Sequence, residues 1–492
     1  MPSVGQSPFA YRGVVEGYYG PPFAHADRLW LLERMADWRM NTYVVAPKDD
    51  PLHRDRWREP YPSAALADFE ALVRHGADRG VRVGFAIAPG LSIGYASEAD
   101  RLALREKLDA FASLGARFFC LALDDVPSEL VHAEDRECFA SLAHAHVDLA
   151  HAVARWLPAD ATLWLVPTDY AGTADSAYLE TLGSELDANV EVGWTGRSVV
   201  SPEIRSDEAA RRAACLGRRL LVWDNFPVND GPMRNALHLG PYTGRDAGLA
   251  DHLSGLLLNP MEHAHASAVG LGAAAAWLED PAGYDPEFAW EASARASGEG
   301  AADAFVRFAR GHRFGALSPD DRDAEVEASF EALVAALDRG AADPARAAIE
   351  RLREQLDARK QAAEALREHL ADRTLLAEIE PWIDAHAGET RIMREAVDLL
   401  SVLVDGAPAM QVALAFFRME GRLTRIAPAA RSSYGPRRHV YPQLASLEDE
   451  DAHFGDDPVL FLDRCLSDEF VRKAETLALE RLGGRPAAPL RG

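Results

Sequence analysis

The chain has 492 residues, an apolar fraction of 48% and a formal net charge of −25. The length indicates roughly two to four domains, and the apolar fraction is ordinary for a globular protein with a large core. The strong negative charge disfavours electrostatic binding to nucleic acid or to an anionic membrane, so we predict neither partner. No stretch approaches the run of about 18 apolar residues that spans a bilayer.

The four cysteines, Cys120, Cys138, Cys215 and Cys465, lie far apart, and none forms a Cys-x-x-Cys pair. That spacing is typical of reduced structural thiols rather than of a zinc ribbon or a disulfide framework. The N-terminus does not combine a basic start with an apolar core, so we see no secretory signal. We therefore expect a cytoplasmic protein.

Strand-like and helix-like segments alternate over residues 8–285. The predicted strands cover residues 11–17, 42–48, 82–89, 117–127, 161–170, 190–196, 219–226 and 255–260. The predicted helices between and after them include residues 24–38, 98–114, 134–156 and 263–277. Eight such units over this length indicate a (β/α)8 barrel, the TIM barrel of the α/β class. A doubly wound open sheet would also alternate, but no Gly-x-Gly-x-x-Gly motif opens a helix after the first strand.

The pattern changes near residue 290, where strand candidates disappear. Residues 290–430 have helical periodicity and predict an α-helical bundle domain, whose helices include residues 345–372, 375–388, 390–404 and 407–421. Residues 431–492 predict a C-terminal arm followed by a helix over 458–482. The bundle could also serve as the interface of a homodimer, an arrangement that the sequence leaves open.

The most informative stretch runs from Arg117 to Pro127. Its first half is apolar on both faces, which suits a strand buried in a parallel sheet, and it ends in two adjacent carboxylates, Asp124 and Asp125. In a barrel of parallel strands, chemistry takes place at the C-terminal strand ends. Two neighbouring buried carboxylates repel each other, which favours one anion beside one acid. The alternative interpretation is a strand end closed by a turn-forming Asp pair.

Polar and aromatic residues follow seven of the eight predicted strands. They include Tyr19, Lys48, the Asp124–Asp125 pair, Tyr170, Trp194, Trp223, Asn225, Asp230 and Asn259. Aromatic walls with a few oriented polar groups suit a hydroxyl-rich ring such as a sugar. Lys48 has a second interpretation as the ion-pair partner of Asp49 or Asp50, and for these two aspartates we favour structural roles.

The adjacency of the two carboxylates constrains the mechanism. A conventional glycosidase places its two carboxyl groups about 5 Å or more apart, on opposite sides of the sugar. Neighbours on one strand end suit a reaction in which the substrate supplies its own nucleophile, as a 2-acetamido sugar does with its carbonyl oxygen. One carboxylate would then orient the amide N–H, and the other would protonate the departing oxygen.

Several motifs lie in the predicted strands or in the loops between them: Gly13-Val-Val-Glu-Gly-Tyr-Tyr-Gly20, Asn41-Thr-Tyr43, Ala46-Pro-Lys-Asp-Asp50, Leu123-Asp-Asp-Val126, Trp194-Thr-Gly196, Trp223-Asp-Asn225 and Leu239-Gly-Pro-Tyr242. Together they resemble glycoside hydrolase family 84, the O-GlcNAcase family once described as hyaluronidases. The resemblance covers essentially residues 11–280. It implies a retaining β-N-acetylglucosaminidase that acts through an oxazoline intermediate, without a metal or another cofactor, on a glycoprotein or oligosaccharide substrate.

The resemblance also implies roles for individual residues. Asp124 matches the carboxylate that orients the acetamido group, and Asp125 matches the general acid/base. The other matched positions bind substrate: Gly17 and Lys48 the sugar hydroxyls, Tyr170 the acetamido oxygen, Trp223 and Asn225 the acetamido pocket, Asp230 and Asn259 the outer hydroxyls, and Tyr19 as part of the first-strand motif.

Two other functions stay open on the sequence alone. The first is a non-catalytic N-acetylglucosamine-binding barrel protein, although a binder would have no need to keep both carboxylates. The second is a metal-dependent hydrolase that uses the many aspartates. His53 and Arg54 form a polar corner, but no His-x-His or His-Glu-x-x-His motif accompanies them, so we predict no metal. The natural aglycone, with protein O-GlcNAc among the candidates, is not readable from the sequence.

Overall fold

The computed structural model describes residues 7–234, 236–313, 317–318, 322–423 and 466–483. The chain divides into two compact units. Within the described residues, one unit covers 7–231 and Pro241–Trp290, and the other covers Pro232–Gly240, 291–313, 317–318, 322–423 and 466–483. The predicted arm over 431–457 and the first part of the predicted last helix lie outside the described residues.

The first unit is built on a closed barrel of eight parallel strands in chain order, with β8 pairing back onto β1. The strands are β1 (Tyr11–Glu16), β2 (Thr42–Val45), β3 (Arg82–Ile87), β4 (Phe118–Ala122), β5 (Thr162–Val166), β6 (Val190–Trp194), β7 (Leu220–Asp224) and β8 (Leu253–Leu258). The predicted (β/α)8 class is thereby confirmed. Each observed strand is shorter than predicted at its C-terminal end, because the polar residues there belong to loops.

Helices follow the strands around the barrel. They are His25–Asp37, Ser63–Ala77, Glu98–Ser113, Ala133–Cys138, Leu142–Trp156, Ala177–Glu185, Ser206–Leu216 and Ala264–Glu279. The single helix predicted over 134–156 is wrong, because the segment forms two helices. Ser141 begins the second of them by accepting a hydrogen bond from the backbone N–H of His144, as an N-cap does.

The barrel interior is filled by apolar side chains from most of its strands, among them Val15, Val44, Phe118, Trp164 and Leu257. Trp194 and Trp277 are also buried in this unit. A filled interior leaves the C-terminal mouth as the place for a site. None of the described helices combines the length and hydropathy needed to cross a bilayer.

The second unit is helical in its described part. The helices after the barrel are Pro286–Ser297, which begins in the first unit, Ala302–Arg310, Ala324–Asp338, Ala342–His369, Arg373–Val404, Ala409–Leu423 and Leu466–Arg481. The break predicted between residues 388 and 390 is wrong, because one helix continues through it. Gly388 is buried there, and buried apolar residues lie on both sides of it along the helix, so tertiary packing outweighs the low helix propensity of glycine.

Candidate active site

The C-terminal strand ends of the barrel enclose a cavity of about 550 Å³ that is open to solvent. All ten residues that the sequence predicted for the site line it: Gly17, Tyr19, Lys48, Asp124, Asp125, Tyr170, Trp223, Asn225, Asp230 and Asn259. They come from the ends of six different strands and the loops that follow, so only the closed barrel brings them together.

The two carboxylates lie just beyond the end of β4. Successive side chains of a strand point to opposite faces, so a regular strand could not direct both into one cavity. The backbone of Asp125 departs from strand geometry, with a φ of +47° in the left-handed region that residues other than glycine rarely adopt. Backbone strain of this kind concentrates at functional sites. Both Asp124 and Asp125 therefore line the same cavity.

Lys48 is the cation that faces the pair. Its ammonium group donates a hydrogen bond to Oδ2 of Asp124 and lies 3.9 Å from Oδ2 of Asp125. Burial alone would lower the pKa of Lys48, but the attraction of the two carboxylates outweighs it and holds the pKa above its ordinary value. Lys48 thus stays charged and offsets the repulsion between the two aspartates.

The alternative interpretation, in which Lys48 pairs with Asp49 or Asp50, is wrong. Asp50 has a structural role. It accepts hydrogen bonds from the backbone N–H of Leu52 at 2.8 Å and from the hydroxyl of Tyr61 at 2.7 Å. Asp49 is exposed and does not line the cavity. These contacts agree with the structural roles predicted for the two aspartates.

Two phenols hold the Asp125 carboxylate. The hydroxyl of Tyr19 donates to Oδ2 at 3.0 Å, and the hydroxyl of Tyr170 donates to Oδ1 at 3.0 Å. Burial raises the pKa of both tyrosines, and the negative charge of Asp125 raises it further. Both hydroxyls consequently keep their protons and act as donors. Arg54 in turn donates to the Tyr19 hydroxyl at 2.8 Å.

Asp124 differs from Asp125 in one respect that bears on ligand binding. Its Oδ2 accepts from Lys48, whereas its Oδ1 is buried and has no hydrogen-bond partner among the described residues. A buried carboxylate oxygen without a donor is costly, and such an atom in a native structure requires an explanation. Because Asp124 lines the cavity, a donor on a bound ligand would satisfy it.

A hydrogen-bonded group forms another wall. Asn225 accepts from Nε1 of Trp223 at 3.1 Å and from Nδ2 of Asn259 at 2.9 Å, and its own Nδ2 donates to the carbonyl of Val199 at 2.7 Å. Asn259 also accepts from the backbone N–H of Gly17 at 3.1 Å. These bonds fix both amides in one orientation, so this wall of the cavity is rigid before a ligand arrives.

Asp230 binds the backbone N–H of Tyr19 at 2.7 Å. Burial raises the pKa of Asp230 to about 6. Asp224 lies behind the wall, where Arg245 binds both of its oxygens and Tyr242 donates to it at 2.7 Å. Asp224 is therefore a structural support for the end of β7.

His53 belongs to the core and not to a ligand-binding corner. Its Nδ1 lies 2.9 Å from the carbonyl oxygen of Ala86, and burial followed by the charge of Lys48 lowers its pKa to about 3. The imidazole is thus neutral at physiological pH. Among the described residues, no three His, Cys, Asp or Glu side chains are grouped as they would be to hold a metal ion.

Five further residues line the cavity: Val166, Thr195, Val199, Val200 and Val228. Thr195 lies in the Trp194-Thr-Gly196 motif, and Val166 ends β5, where its identity affects the volume of the pocket. Sequence reasoning missed Val199, Val200 and Val228, because an apolar side chain in a loop gives no signal of a ligand. Arg54 was noted only as part of a polar corner with His53, and its contact with Tyr19 could not be read from sequence spacing. The valines add apolar surface to the lining of the cavity.

The arrangement indicates what the site can do chemically. Asp124 offers a buried acceptor, and Asp125 is a carboxylate that can take up or release a proton while two phenols orient it. Apolar and aromatic walls with a few convergent polar groups are what a sugar ring with an apolar substituent requires.

The sequence model of the beta-N-acetylglucosaminidase family, NAGidase, matches residues 12–310. The chain belongs to this family. Protein O-GlcNAcase of Rattus norvegicus and that of Mus musculus are each 36% identical to it over 273 residues. The match covers 54% of this chain and 30% of each relative, so the chain spans less than a third of the length of these proteins.

Solved structures resemble the chain as well. The Thermobaculum terrenum O-GlcNAc hydrolase, in a single-residue variant, has a TM-score of 0.83 and 28% identity, and the match covers 99% of both chains. CpGH84B has a TM-score of 0.77 over 90% of this chain and 77% of that chain, and at 24% identity the likeness shows the fold alone. The predicted membership of glycoside hydrolase family 84 is confirmed.

Proposed function

We propose that the chain is a retaining β-N-acetylglucosaminidase that hydrolyses terminal β-linked N-acetylglucosamine by substrate-assisted catalysis. The observation that carries the proposal is the Oδ1 of Asp124, a buried acceptor that no described residue satisfies and that lies beside a second carboxylate in the same cavity. The N–H of a 2-acetamido group is a donor of the right kind for it. Family membership supports the same reaction class.

In the first step, the acetamido carbonyl oxygen forms a bond to the anomeric carbon while the bond from that carbon to the aglycone oxygen breaks. Asp125 gives its proton to the departing oxygen. Asp124 accepts a hydrogen bond from the acetamido N–H and stabilises the positive charge that develops on the group. The product of this step is a bicyclic oxazolinium ion, or the neutral oxazoline after Asp124 takes the N–H proton.

In the second step, water adds to the anomeric carbon from the face that the aglycone left. Asp125, now a carboxylate, takes the proton of the water. The bond between the anomeric carbon and the carbonyl oxygen breaks, and the N–H proton returns, which restores the acetamido group. Two inversions at one carbon give net retention, and the step restores the protonated acid Asp125.

The remaining site residues are proposed to hold the sugar. Lys48, Asp230 and Asn259, with the backbone carbonyl of Gly17, bind hydroxyl groups. The hydrogen bonds from the Gly17 N–H to Asn259 and from the Tyr19 N–H to Asp230 support a preformed wall. Tyr19 belongs to the same substrate-binding set.

The acetamido group is proposed to lie between Tyr170, Trp223 and Asn225. The indole of Trp223 is buried and oriented by Asn225, which suits contact with a methyl group. We include protein O-GlcNAc among the natural substrates, since two relatives are named Protein O-GlcNAcase. The cytoplasmic location, the homodimer, the lack of nucleic-acid and membrane partners and the lack of a cofactor stay predictions.

The test is release of a fluorescent aryl group from a β-N-acetylglucosaminide in the presence of EDTA, beside a second substrate with a poor leaving group. Asp125→Ala should lose activity mainly on the poor leaving group, because an activated aryl oxide departs without a proton. Loss of a general acid costs about 100- to 10,000-fold. Asp49→Ala is the matched control. It removes an exposed carboxylate from the loop after β2, whereas Asp125 follows β4, and the activity of this variant should equal that of wild type.

Three results would contradict the proposal. Equal loss of both substrates in Asp125→Ala would remove Asp125 as the acid. Binding of an N-acetylglucosamine-thiazoline inhibitor without any turnover would favour the non-catalytic binding protein. Activity that EDTA abolishes and a divalent ion restores would favour the metal-dependent hydrolase.

A further inference from the structure

We propose that Arg54 is a positioning residue for the reaction and that it acts on Asp125 through the hydroxyl of Tyr19. The inference rests on the proposed function, in which Asp125 is the general acid/base. Arg54 lies in the loop after β2 and does not line the cavity, so it reaches the reacting groups through another side chain.

The direction of the hydrogen bonds follows from the chemistry of the three groups. A guanidinium group can only donate, and a phenol has one proton. Nη1 of Arg54 donates to the Tyr19 hydroxyl at 2.8 Å, so the oxygen of Tyr19 is the acceptor in that bond. The single phenolic proton is thereby left for Oδ2 of Asp125, which lies 3.0 Å away. Arg54 thus sets Tyr19 as a donor to the carboxylate.

Tyr19 needs this support more than Tyr170 does. Tyr19 is 39% exposed at the mouth, whereas Tyr170 is partly buried and packs against the barrel core. The backbone N–H of Tyr19 is held by Asp230, but that bond does not fix the ring. Arg54 contacts the ring as well as the hydroxyl, with its guanidinium carbon 5.9 Å from the ring centroid. It therefore restricts the rotation of a side chain that is otherwise open to water.

The charge of Arg54 adds to its geometric effect. A cation that donates to a phenol oxygen polarises the O–H bond and strengthens the next hydrogen bond in the chain. The groups that face Asp125 include Lys48, Tyr170, Tyr19 with Arg54 behind it, and Asp124, whose negative charge repels that of Asp125. Loss of Arg54 weakens one of the donors that favour the carboxylate over the acid. The protonated form of Asp125 should then persist to higher pH.

The experiment compares Arg54→Met, which keeps the length of the side chain, with Arg54→Lys, which keeps the charge. For Arg54→Met we expect kcat/KM to fall by about 10- to 100-fold on a substrate with a poor leaving group, as for loss of a hydrogen bond to a charged group. On an activated aryl glycoside we expect a fall of less than about 3-fold, since that step needs little acid assistance. The alkaline limb of the pH–rate profile should move to higher pH, and Arg54→Lys should recover part of the loss.

Two controls separate positioning from general damage. Arg56→Met removes an exposed arginine of the same loop, whose guanidinium group lies 3.4 Å from the carboxylate of Glu59. The activity of this variant should match that of wild type. In a Tyr19→Phe background the phenolic hydroxyl is gone, so Arg54→Met should cause little further loss. If Arg54→Met does not fold, as judged by circular dichroism, Arg54→Lys in the two backgrounds gives the same comparison.

Equal losses on both substrates with an unmoved pH profile would overturn the inference, and so would an undiminished effect of Arg54→Met in the Tyr19→Phe background. These results leave the proposed function intact, because wild-type turnover and the Asp125→Ala pattern test it separately. A wild-type chain without turnover would instead end the proposed function and this inference with it.

Discussion

Replacing Gly17 with alanine should damage the site by displacing Trp223. A Cβ atom at this position would lie 2.1 Å from Cζ2 and 2.5 Å from Cη2 of the indole. Carbon atoms in favourable contact are about 3.5–4 Å apart, so the ring or the end of β1 must shift by more than about 1 Å. The indole cannot easily move away, because it is buried and its Nε1 donates a hydrogen bond to Asn225.

The expected effect has two parts. Overpacking of a filled site typically costs about 1–3 kcal/mol of stability. Misplacement of a binding wall by about 1 Å can cost about 100-fold in rate. We therefore expect kcat/KM on an activated aryl β-N-acetylglucosaminide to fall by about 100-fold, with a smaller free energy of unfolding in urea.

Gly421→Ala is the matched control for this substitution. A Cβ at Gly421 would meet no atom within 4 Å among the described residues, and alanine is the better helix former by about 1 kcal/mol. Its activity should equal that of wild type, and its stability should be equal or higher. Gly17→Ala with wild-type kcat/KM would refute the reasoning, because the close approach of the backbone to Trp223 would then have no part in shaping the cavity.

Three further substitutions test other parts of the account. Asp124→Asn should depress turnover of activated and poor substrates alike, by about 100- to 1,000-fold, because oxazoline formation itself suffers; an unchanged rate would remove Asp124 from the mechanism. Asp230, whose pKa burial raises from 3.8 to about 6, stabilises the fold fully below about pH 4 and loses that contribution as the pH rises through about 6. The free energy of unfolding of wild type minus that of Asp230→Asn should hence fall by up to about 3 kcal/mol between pH 4 and pH 7 in urea titrations, and a constant difference would contradict this. Arg359→Met should lower the free energy of unfolding of the helical unit by about 3–5 kcal/mol, because the buried carboxylate of Asp323, 2.5 Å from Nη1 of Arg359, loses its ion pair. Arg353→Met removes one partner of a half-exposed ion pair and should lower it by less than about 1 kcal/mol. Equal losses in the two variants would contradict this expectation.

The barrel was predictable because its strands are buried on both faces and end in polar residues at regular intervals. The helices were less so. Ser141 splits one predicted helix by capping the next, while Gly388 fails to break another because tertiary packing continues through it. The Ser141 cap is a local hydrogen bond that the prediction did not use. The continuation through Gly388 depends instead on packing against neighbouring elements, which local signals do not show.

The site was predictable as a set of residues but not as a network. Lys48 offered two aspartates close in sequence as partners, yet it pairs with Asp124, which is 76 residues away along the chain. The phenol contacts of Asp125, and the set of valines that line the cavity, also bring together residues that are distant along the chain. Each depends on which strand ends the barrel brings opposite one another, and a single sequence does not encode those distances in its spacing.

The central claim is that the substrate's own acetamido oxygen is the nucleophile. The most direct measurement is kcat/KM for a series of aryl glycosides whose N-acetyl group carries zero, one, two and three fluorine atoms, with one leaving group throughout. Fluorine withdraws electrons from the carbonyl oxygen, so our account predicts a steady fall in kcat/KM along the series. Rates that do not change with fluorine content, in substrates that bind equally well, would contradict it and require a nucleophile from the protein or from water.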